Sequence, residues 1–458
     1  MKTPGSTAAG LLLLAIVALG PLPFGSIMPP ERLGLQLAGL VALVLVLARR
    51  RDLTPLGRVA RPALAIAAVG AFGLLQSLPW PRPVAGMLAP RIAEPWRETY
   101  ALLGEGADSW IPLSLSPAVS REAAIQWLAV AACMAAAAAV GENRRWRRVL
   151  AVGLLAAAVF EVAYGADNWF EQRSTIWGLE VPGDRGRLRG TFVNPDHFAL
   201  FLFVPMTAAF AWVWWSMRRV LRRESLERRL LHLILPWLVF LMLFVGLAFT
   251  GSRGGMVSAV AAILVQTLLL AFYYRKWQAG LLGLSAVVVG FGGVLYFGLQ
   301  QGLGRWMATS AYEVTWNARL RAYGAAWELW QQSPWTGTGL GTFRQAFPKV
   351  QPPELEQTWI HVHSDGLELL VTTGLVGLPL LGYGFVMLCR RLRSAFRHGR
   401  RSEDRAAALA AFGTLAAVLI HSLIDFALTM PANALLVAIV LGVACGVPTH
   451  PRPTPDDP

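Results

Sequence analysis

Apolar runs of about 17–22 residues recur along nearly the whole chain, separated by shorter segments rich in arginine, proline and glycine. A helix needs about 20 such residues to span the roughly 30 Å of hydrocarbon in a membrane. The apolar lengths predict about twelve membrane helices, at 8–28, 33–48, 63–79, 123–140, 149–165, 197–216, 233–250, 256–273, 278–299, 365–389, 406–426 and 432–448. We therefore expect an all-α polytopic membrane protein.

Composition agrees with this pattern and excludes several other classes. Hydrophobic residues make up 55% of the 458 residues and charged residues only 15%, whereas a soluble domain has about 25% charged residues. A water-soluble enzyme, a disordered chain, a coiled coil and a disulfide scaffold are therefore excluded. The first apolar run is followed by prolines rather than by a clear small-residue cleavage site, so we expect a retained helix instead of a signal peptide.

The net charge of +14 is concentrated in short arginine clusters between the apolar runs. The clusters lie at 49–51, 144–148, 218–223 and 390–405. Cytoplasmic loops of membrane proteins carry such an excess of basic residues. We therefore expect both termini in the cytoplasm and no nucleic-acid partner. Three long segments, at 80–122, 166–196 and 300–364, then lie on the outer side.

Two arginine-containing motifs on that outer side are candidate anion sites. Arg185, Arg187 and Arg189 alternate with small or apolar residues in a glycine-containing loop. Guanidinium groups bind phosphate in a planar fork and keep their charge. The alternative is an ordinary solvated basic loop. Arg253 lies in a Gly-Ser-Arg-Gly-Gly turn between two apolar runs, for which the alternative is an arginine that reaches the membrane interface.

A histidine motif precedes the predicted tenth helix. His361 and His363 are followed by Asp365, a combination typical of a general base with a carboxylate that orients it. The alternative is a set of polar residues that cap the helix. Neither a third histidine nor a cysteine nearby completes a metal site, so we expect no metal.

Weaker candidates lie further along the chain. Arg319 and Arg321 belong to a predicted amphipathic helix at 318–332, on the membrane surface, and would add to an anion site. His421 and Asp425 are one helical turn apart near the outer end of the eleventh predicted helix, where a structural hydrogen bond is the expected role.

In this order, the motifs resemble those of the O-antigen ligase and O-antigen polymerase superfamily of bacterial inner-membrane glycosyltransferases. The matching pieces are GTFVNPDHFA (190–199), TGSRGG (250–255), the stretch from Arg319 to the GTGLGTF that ends at Phe343, HVHSDGLELL (361–370) and HSLIDF (421–426). The resemblance divides the chain into membrane helices at 1–189, a ligase-like core at 190–430 that includes the outer segment 300–364, and a last helix with a cytoplasmic tail at 431–458.

The resemblance implies a reaction at the periplasmic face of the inner membrane. A glycan carried on undecaprenyl diphosphate passes, with inversion, to an acceptor hydroxyl, and neither a metal nor another cofactor is needed. Arg253 and the arginines of 185–189 would bind the diphosphate. His363 would activate the acceptor, with His361 as its less certain neighbour.

The expected acceptor is lipid A–core, which would make the protein an O-antigen ligase. A polymerase of O-antigen or exopolysaccharide, or a protein O-glycosyltransferase, is the alternative within the superfamily. A polysaccharide or lipid transporter is the alternative from a different class. Transport would depend on Glu161 or Glu368, the acidic residues closest to the interior of the predicted helices.

Overall fold

The computed structural model describes residues 4–49, 53–104, 110–181, 186–219, 225–274, 278–298, 316–356 and 358–449. Within these ranges the fold is almost entirely helical. The α-helices are α1 (Pro4–Leu19), α2 (Pro29–Arg49), α3 (Thr54–Ser77), α4 (Arg82–Leu88), α5 (Pro90–Leu102), α6 (Pro117–Gly141), α7 (Arg144–Phe170), α8 (Pro195–Arg219), α9 (Leu226–Phe249), α10 (Arg253–Tyr274), α11 (Gln278–Gly298), α12 (Trp316–Gln332), α13 (Phe343–Ala346), α14 (Asp365–His398), α15 (Ser402–His421) and α16 (Pro431–Gly446).

Very short elements connect these helices. Single 3₁₀ turns lie at Phe24–Ser26, Phe347–Lys349 and Ala427–Thr429. Strands β1 (Pro79–Trp80) and β2 (Ile111–Pro112) form one antiparallel pair, with Pro79 opposite Pro112; β3 (Thr175–Ile176) and β4 (Leu179–Glu180) form another, with Thr175 opposite Glu180. Each pair fixes a loop at one end of the helix bundle.

Nine helices in the described ranges are long and apolar enough to cross a membrane, namely α2, α3, α6, α7, α8, α9, α10, α14 and α15. Three shorter apolar helices, α1, α11 and α16, lie where the first, ninth and twelfth membrane helices were expected. The protein is thus an all-α polytopic membrane protein, while the total of twelve spans stays a prediction.

Helix α8 lies at the centre of the bundle. Its residues from Phe198 to Val204 are all fully buried, although a surface helix would bury only one stripe. A helix that is apolar all round must be surrounded by protein or lipid, and α8 packs against α9, α10 and α15. Its first turn is therefore held firmly at the end of the bundle.

Close backbone approach joins α6 to α16. A Cβ atom at Gly446 would lie 2.0 Å from the carbonyl oxygen of Ala138, and one at Gly442 would lie 2.3 Å from that of Met134. Small residues permit such contact between membrane helices, for which lipid gives no hydrophobic driving force. The alanine-rich α6 (Ala136–Ala139 are fully buried) therefore acts as a flat surface for α16.

Helix α14 is broken one-third of the way along by Gly374, which has φ of 61°. The glycine-rich segment at 334–341, after α12, fills this break: the N–H of Gly339 donates to the carbonyl of Thr372 at 3.0 Å. The buried side chain of Gln76 donates to the carbonyls of Thr336 (2.6 Å) and Thr372 (3.0 Å). Residues 334–341 are thereby anchored between α3 and α14.

Candidate active site

Four connecting segments meet at one end of the bundle: the loop that enters α8, the turn between α9 and α10, the loop before α14, and the turn after α15. The N–H of Asp365 donates to the carbonyl of Asp425 at 3.2 Å. Asn433 donates from Nδ2 to the carbonyl of His197 at 3.0 Å. These bonds join segments that are far apart in the sequence, by 236 residues in the case of Asn433 and His197.

His363 lies at the centre of this end, in a strained backbone conformation. Its φ is 59°, a left-handed value that is uncommon for residues other than glycine. The Tyr323 hydroxyl donates to the carbonyl of His363 at 2.7 Å, and the ring of Trp359 stands edge-on to the imidazole at 5.5 Å. Strain of this kind persists only where neighbours hold it, and it is frequent at functional sites.

Asp425 orients the His363 imidazole. Its Oδ1 lies 3.5 Å from Nδ1 of His363, and its Oδ2 lies 3.3 Å from Nε2 of His421. Burial raises the pKa of Asp425, but the adjacent imidazoles of His363 and His421 hold that pKa well below its usual value. The carboxylate is therefore a buried negative charge beside the ring, which leaves Nε2 of His363 for other contacts.

The predicted position of Asp425 needs correction. Helix α15 ends at His421, not at residue 426, and Asp425 lies in the following turn, where its N–H donates to the carbonyl of His421 at 2.9 Å. This turn directs the carboxylate to His363 as well as to His421. The expected His421–Asp425 proximity is present, but the sequence did not reveal the contact with His363.

A second histidine–carboxylate pair lies beside the first. Nδ1 of His361 is 2.8 Å from Oε1 of Glu368, and the N–H of Val362 donates to Oε2 of Glu368 at 3.2 Å. Burial lowers the pKa of His361, but Glu368 more than offsets this effect and the net pKa is raised. His361 thus keeps its positive charge to a higher pH than an isolated histidine.

The ring of Phe426 separates the two imidazoles. It stacks on His361 with centroids 4.3 Å apart and meets His363 edge-on at 4.7 Å. The buried His197 also contacts this ring, edge-on at 4.8 Å. In the sequence, Phe426 is the last residue of the HSLIDF motif, and the sequence did not predict its position between the histidines.

The arginines of the loop before α8 are engaged in contacts within the protein. Arg187 donates from Nε to the carbonyl of Thr250 (2.6 Å) and lies 2.8 Å from Oδ1 of Asp196. Arg189 is buried and donates to the carbonyl of Ser174 at 2.8 Å; burial lowers its pKa. These contacts bind the loop to its surroundings. Arg185 lies outside the described residues.

The other predicted arginines differ in their positions. Arg253 is exposed at the first residue of α10, and its neighbour Gly254 packs against Ile424 so closely that a Cβ would lie 2.7 Å from that side chain. Arg319 donates to the carbonyl of Ile424 at 2.8 Å. Both therefore flank the turn that carries Asp425. Arg321 is exposed and lies 3.8 Å from Glu354, further from this turn.

The acidic residues that a transporter would use have local partners here. Glu161 is fully buried and accepts hydrogen bonds from the N–H and the hydroxyl of Thr191, at 2.8 and 2.7 Å. Glu368 is occupied by His361. In the part of the chain that the structure describes, no group of three or more His, Cys, Asp or Glu side chains is arranged to hold a metal ion.

This geometry defines the class of protein. It is a polytopic helical membrane protein with a site lined by histidine and arginine side chains at one end of its helices. Residues 237–382 match the family model described as O-antigen ligase. This region is therefore similar to the O-antigen ligase family, and the resemblance inferred from the motifs is confirmed there. No curated protein matches the chain.

The matched region contains Arg253, Arg319, Arg321 and both histidines of the motif. The family supports a ligase enzyme of the glycosyltransferase type, in a bacterial membrane, that acts on lipid-linked glycans and a membrane acceptor. Asp425 and Phe426 lie outside the matched residues, and the fold brings them to the same place.

Proposed function

We propose that the protein is a glycosyltransferase that moves a glycan from undecaprenyl diphosphate to an acceptor hydroxyl, and that lipid A–core is the acceptor. The observation that carries this proposal is His363: it lies in the O-antigen ligase region, in a strained conformation, 3.5 Å from the buried carboxylate of Asp425. A histidine with a buried carboxylate on its Nδ1 side is arranged to accept a proton at Nε2.

The proton and the leaving group have separate places in this reaction. The acceptor hydroxyl gives its proton to Nε2 of His363 while its oxygen forms a bond to the anomeric carbon. The bond from that carbon to the diphosphate oxygen breaks, and the electron pair leaves with the diphosphate. Attack from the face opposite the leaving group inverts the anomeric centre. Asp425 stabilises the imidazolium, which then releases its proton to water.

The diphosphate would be held by Arg253 and Arg319, the arginines that flank the Asp425 turn. Fixed cations stabilise the charge that develops on a leaving group, and these contacts help catalysis only if they strengthen in the transition state. His361 lies nearby, and its raised pKa keeps it positively charged to a higher pH than an isolated histidine. The internal contacts of Arg187 and Arg189 favour a role in holding the loop. Because the donor brings its own leaving group, the reaction needs no metal.

The proposed location is the bacterial inner membrane, with the active site on the periplasmic side and both termini in the cytoplasm. The arginine-rich ends of the helices support this orientation. Arg144, Arg147 and Arg148 start α7, whereas the candidate site lies near the opposite end of that helix, where Trp169 donates to the carbonyl of Gly186 at 3.1 Å. Arginine-rich ends face the cytoplasm.

The test is an assay of the purified protein with a glycan on undecaprenyl diphosphate, with and without lipid A–core, with products separated on a gel. Transfer to lipid A–core establishes the ligase and should persist in EDTA. A longer carrier-linked glycan formed without lipid A–core would indicate a polymerase instead. If neither product appears, a protein acceptor or transport replaces the proposal.

Variants at two arginines localise the diphosphate site. We expect Arg253→Ala to lower transfer by about 10²–10³-fold, the usual cost of removing one group that stabilises developing charge. Arg321→Ala is the matched control, because Arg321 is exposed and lies away from the Asp425 turn, and it should retain activity within about threefold. Equal activities of the two variants would contradict the assignment of Arg253.

A further inference from the structure

A cavity of about 360 Å³ lies between α1, α7, α8, α15 and α16, among residues that the candidate active site does not use. Its walls are alanine, leucine, valine, isoleucine and tryptophan side chains, with Trp212 and Trp215 on α8 and Ala407 on α15. Ligand-binding cavities typically measure about 300–1,000 Å³ and are mostly apolar. The size and the lining are therefore suitable for a hydrocarbon chain.

The cavity lies at the end of the bundle opposite the candidate active site. Helix α15 begins at Ser402, beside the cavity, and ends at His421, in the site. At about 1.5 Å per residue, a helix of this length extends roughly 30 Å, which is the thickness of the hydrocarbon core. The cavity and the histidines thus belong to opposite leaflets.

Arginines form the polar rim of the cavity. Arg144 donates to Glu403 from Nε at 2.5 Å and from a terminal nitrogen at 2.9 Å, and Arg148 also pairs with Glu403. Arg147 pairs separately with Asp404. The single carboxylate of Glu403 therefore pairs with two guanidinium groups, so these three side chains give the rim a net positive charge.

The rim arginines also have capacity for another partner. Their side chains are 43% (Arg144) and 51% (Arg148) exposed, whereas Glu403 is 15% exposed. Each guanidinium carries about five N–H donors, and Glu403 takes only two from Arg144 and one from Arg148. An incoming phosphate can therefore bind without displacing Glu403.

We propose that this cavity binds an anionic phospholipid, with an acyl chain between α7 and α15 and the phosphate group on Arg144 and Arg148. Basic pockets between membrane helices on the cytoplasmic side are a known type of site for anionic headgroups. The carrier lipid of the proposed reaction is a poorer fit, because its diphosphate would be needed at the other end of the helices. The site uses none of the proposed catalytic residues, and only the choice of a phospholipid over the carrier lipid rests on the proposed function.

The experiment measures lipid-dependent stability of the purified full-length protein in neutral detergent. Phosphatidylglycerol should raise the melting temperature more than phosphatidylcholine does, and native mass spectrometry should show it bound. The variant Arg144→Gln/Arg148→Gln should lose this difference between the two lipids. The two lipids are compared on the same variant. The difference between their effects on the melting temperature can therefore be measured even if the variant is less stable than the wild type.

Three further variants separate the proposed site from general surface charge. Arg145→Gln removes a charge from the same helix end, but Arg145 does not line the cavity, so the phosphatidylglycerol effect should persist. Ala151→Trp, at an exposed cavity residue, should abolish it by filling the space. Glu403→Gln should strengthen it, because the negative charge beside the guanidinium groups, which repels a phosphate, is gone.

Several outcomes would overturn the assignment. Equal stabilisation by phosphatidylglycerol and phosphatidylcholine would show that the rim does not select charge. An unchanged response in Arg144→Gln/Arg148→Gln, or an equal loss in Arg145→Gln, would place the effect elsewhere on the surface. If undecaprenyl phosphate stabilised the protein through these residues and phosphatidylglycerol did not, the occupant would be a carrier lipid instead.

Discussion

The two histidine–carboxylate pairs at the candidate site are built in different ways. His361 and Glu368 are seven residues apart and meet at 2.8 Å across the start of α14. His363 and Asp425 come from separate segments and approach to 3.5 Å, and His363 adopts a φ of 59°. The first pair forms from local structure, whereas the second exists only when α14 and α15 are correctly packed.

This difference assigns different roles to the two histidines. A strained residue that is held by distant partners costs stability, and such strain is found mostly where function needs it. His363 fits the role of the proton acceptor. His361, with a raised pKa caused by Glu368, fits the role of a fixed positive charge near the leaving diphosphate. The ring of Phe426 keeps the two imidazoles apart.

Replacing each histidine by alanine is the strongest test of whether the two histidines have different roles. We expect His363→Ala to lower transfer by about 10²–10⁴-fold, the usual contribution of a general base. His361→Ala should lower it by only about tenfold, because other cations remain near the diphosphate. Initial rates with a saturating donor, normalised to the amount of folded protein, measure both effects. Equal losses would mean that the histidines share one role.

Asp425→Asn tests the buried carboxylate with almost no change of shape. We expect a loss of about 10²-fold in kcat with little change in KM for the donor, because the amide cannot stabilise an imidazolium. The double variant His363→Ala/Asp425→Asn should be no less active than His363→Ala alone, since groups that act as a unit are not additive. Additive losses would separate Asp425 from His363.

The membrane helices could be predicted from the sequence because the membrane itself sets their length. The span predicted at 197–216 lies within α8 at Pro195–Arg219, and the one at 256–273 lies within α10 at Arg253–Tyr274. The end of the eleventh span was wrong by several residues. There the apolar run continues into the turn after His421, and hydrophobicity does not distinguish a helix from a buried turn.

The site could be predicted in part. His363, His361 and Arg253 stand in motifs whose residue types indicate their chemistry. Asp425 also stands in a motif, but its role and that of Tyr323 could not be predicted, because they depend on tertiary contacts with His363: a carboxylate 3.5 Å from its ring and a hydroxyl 2.7 Å from its carbonyl. Spacing in one helix cannot reveal where another helix will end.

Glu368→Gln sharpens the comparison by removing the charge from the local pair only. We expect KM for the donor to rise about fivefold with kcat nearly unchanged, because His361 then loses the partner that raises its pKa. An unchanged kcat would distinguish the effect of Glu368→Gln from that of Asp425→Asn, which is expected to lower kcat. Steady-state kinetics over a range of donor concentrations at neutral pH measure the two constants. A fall in kcat alone would instead tie Glu368 to the His363 reaction.

The smallest expected effect is on the pH dependence of stability, where the two pairs should show opposite signs. The pKa of His361 is raised in the fold. Its contribution is therefore complete below the ordinary histidine value of about 6.5 and is lost as pH rises through the folded pKa. The pKa of Asp425 is lowered, so its contribution is present above the ordinary value of about 3.9 and is lost as pH falls through the folded pKa.

Melting temperatures of the wild type, His361→Gln and Asp425→Asn, measured at fixed ionic strength from pH 5 to pH 9, test the sign for His361, with Asp425→Asn as the comparison. The deficit of His361→Gln should be largest near pH 5 and should shrink toward pH 9. The deficit of Asp425→Asn should stay nearly constant over the same range, because the carboxylate is ionised throughout. A His361→Gln deficit that grew with pH would mean that the folded protein stabilises the neutral imidazole, and His361 could not then serve as the fixed positive charge near the diphosphate.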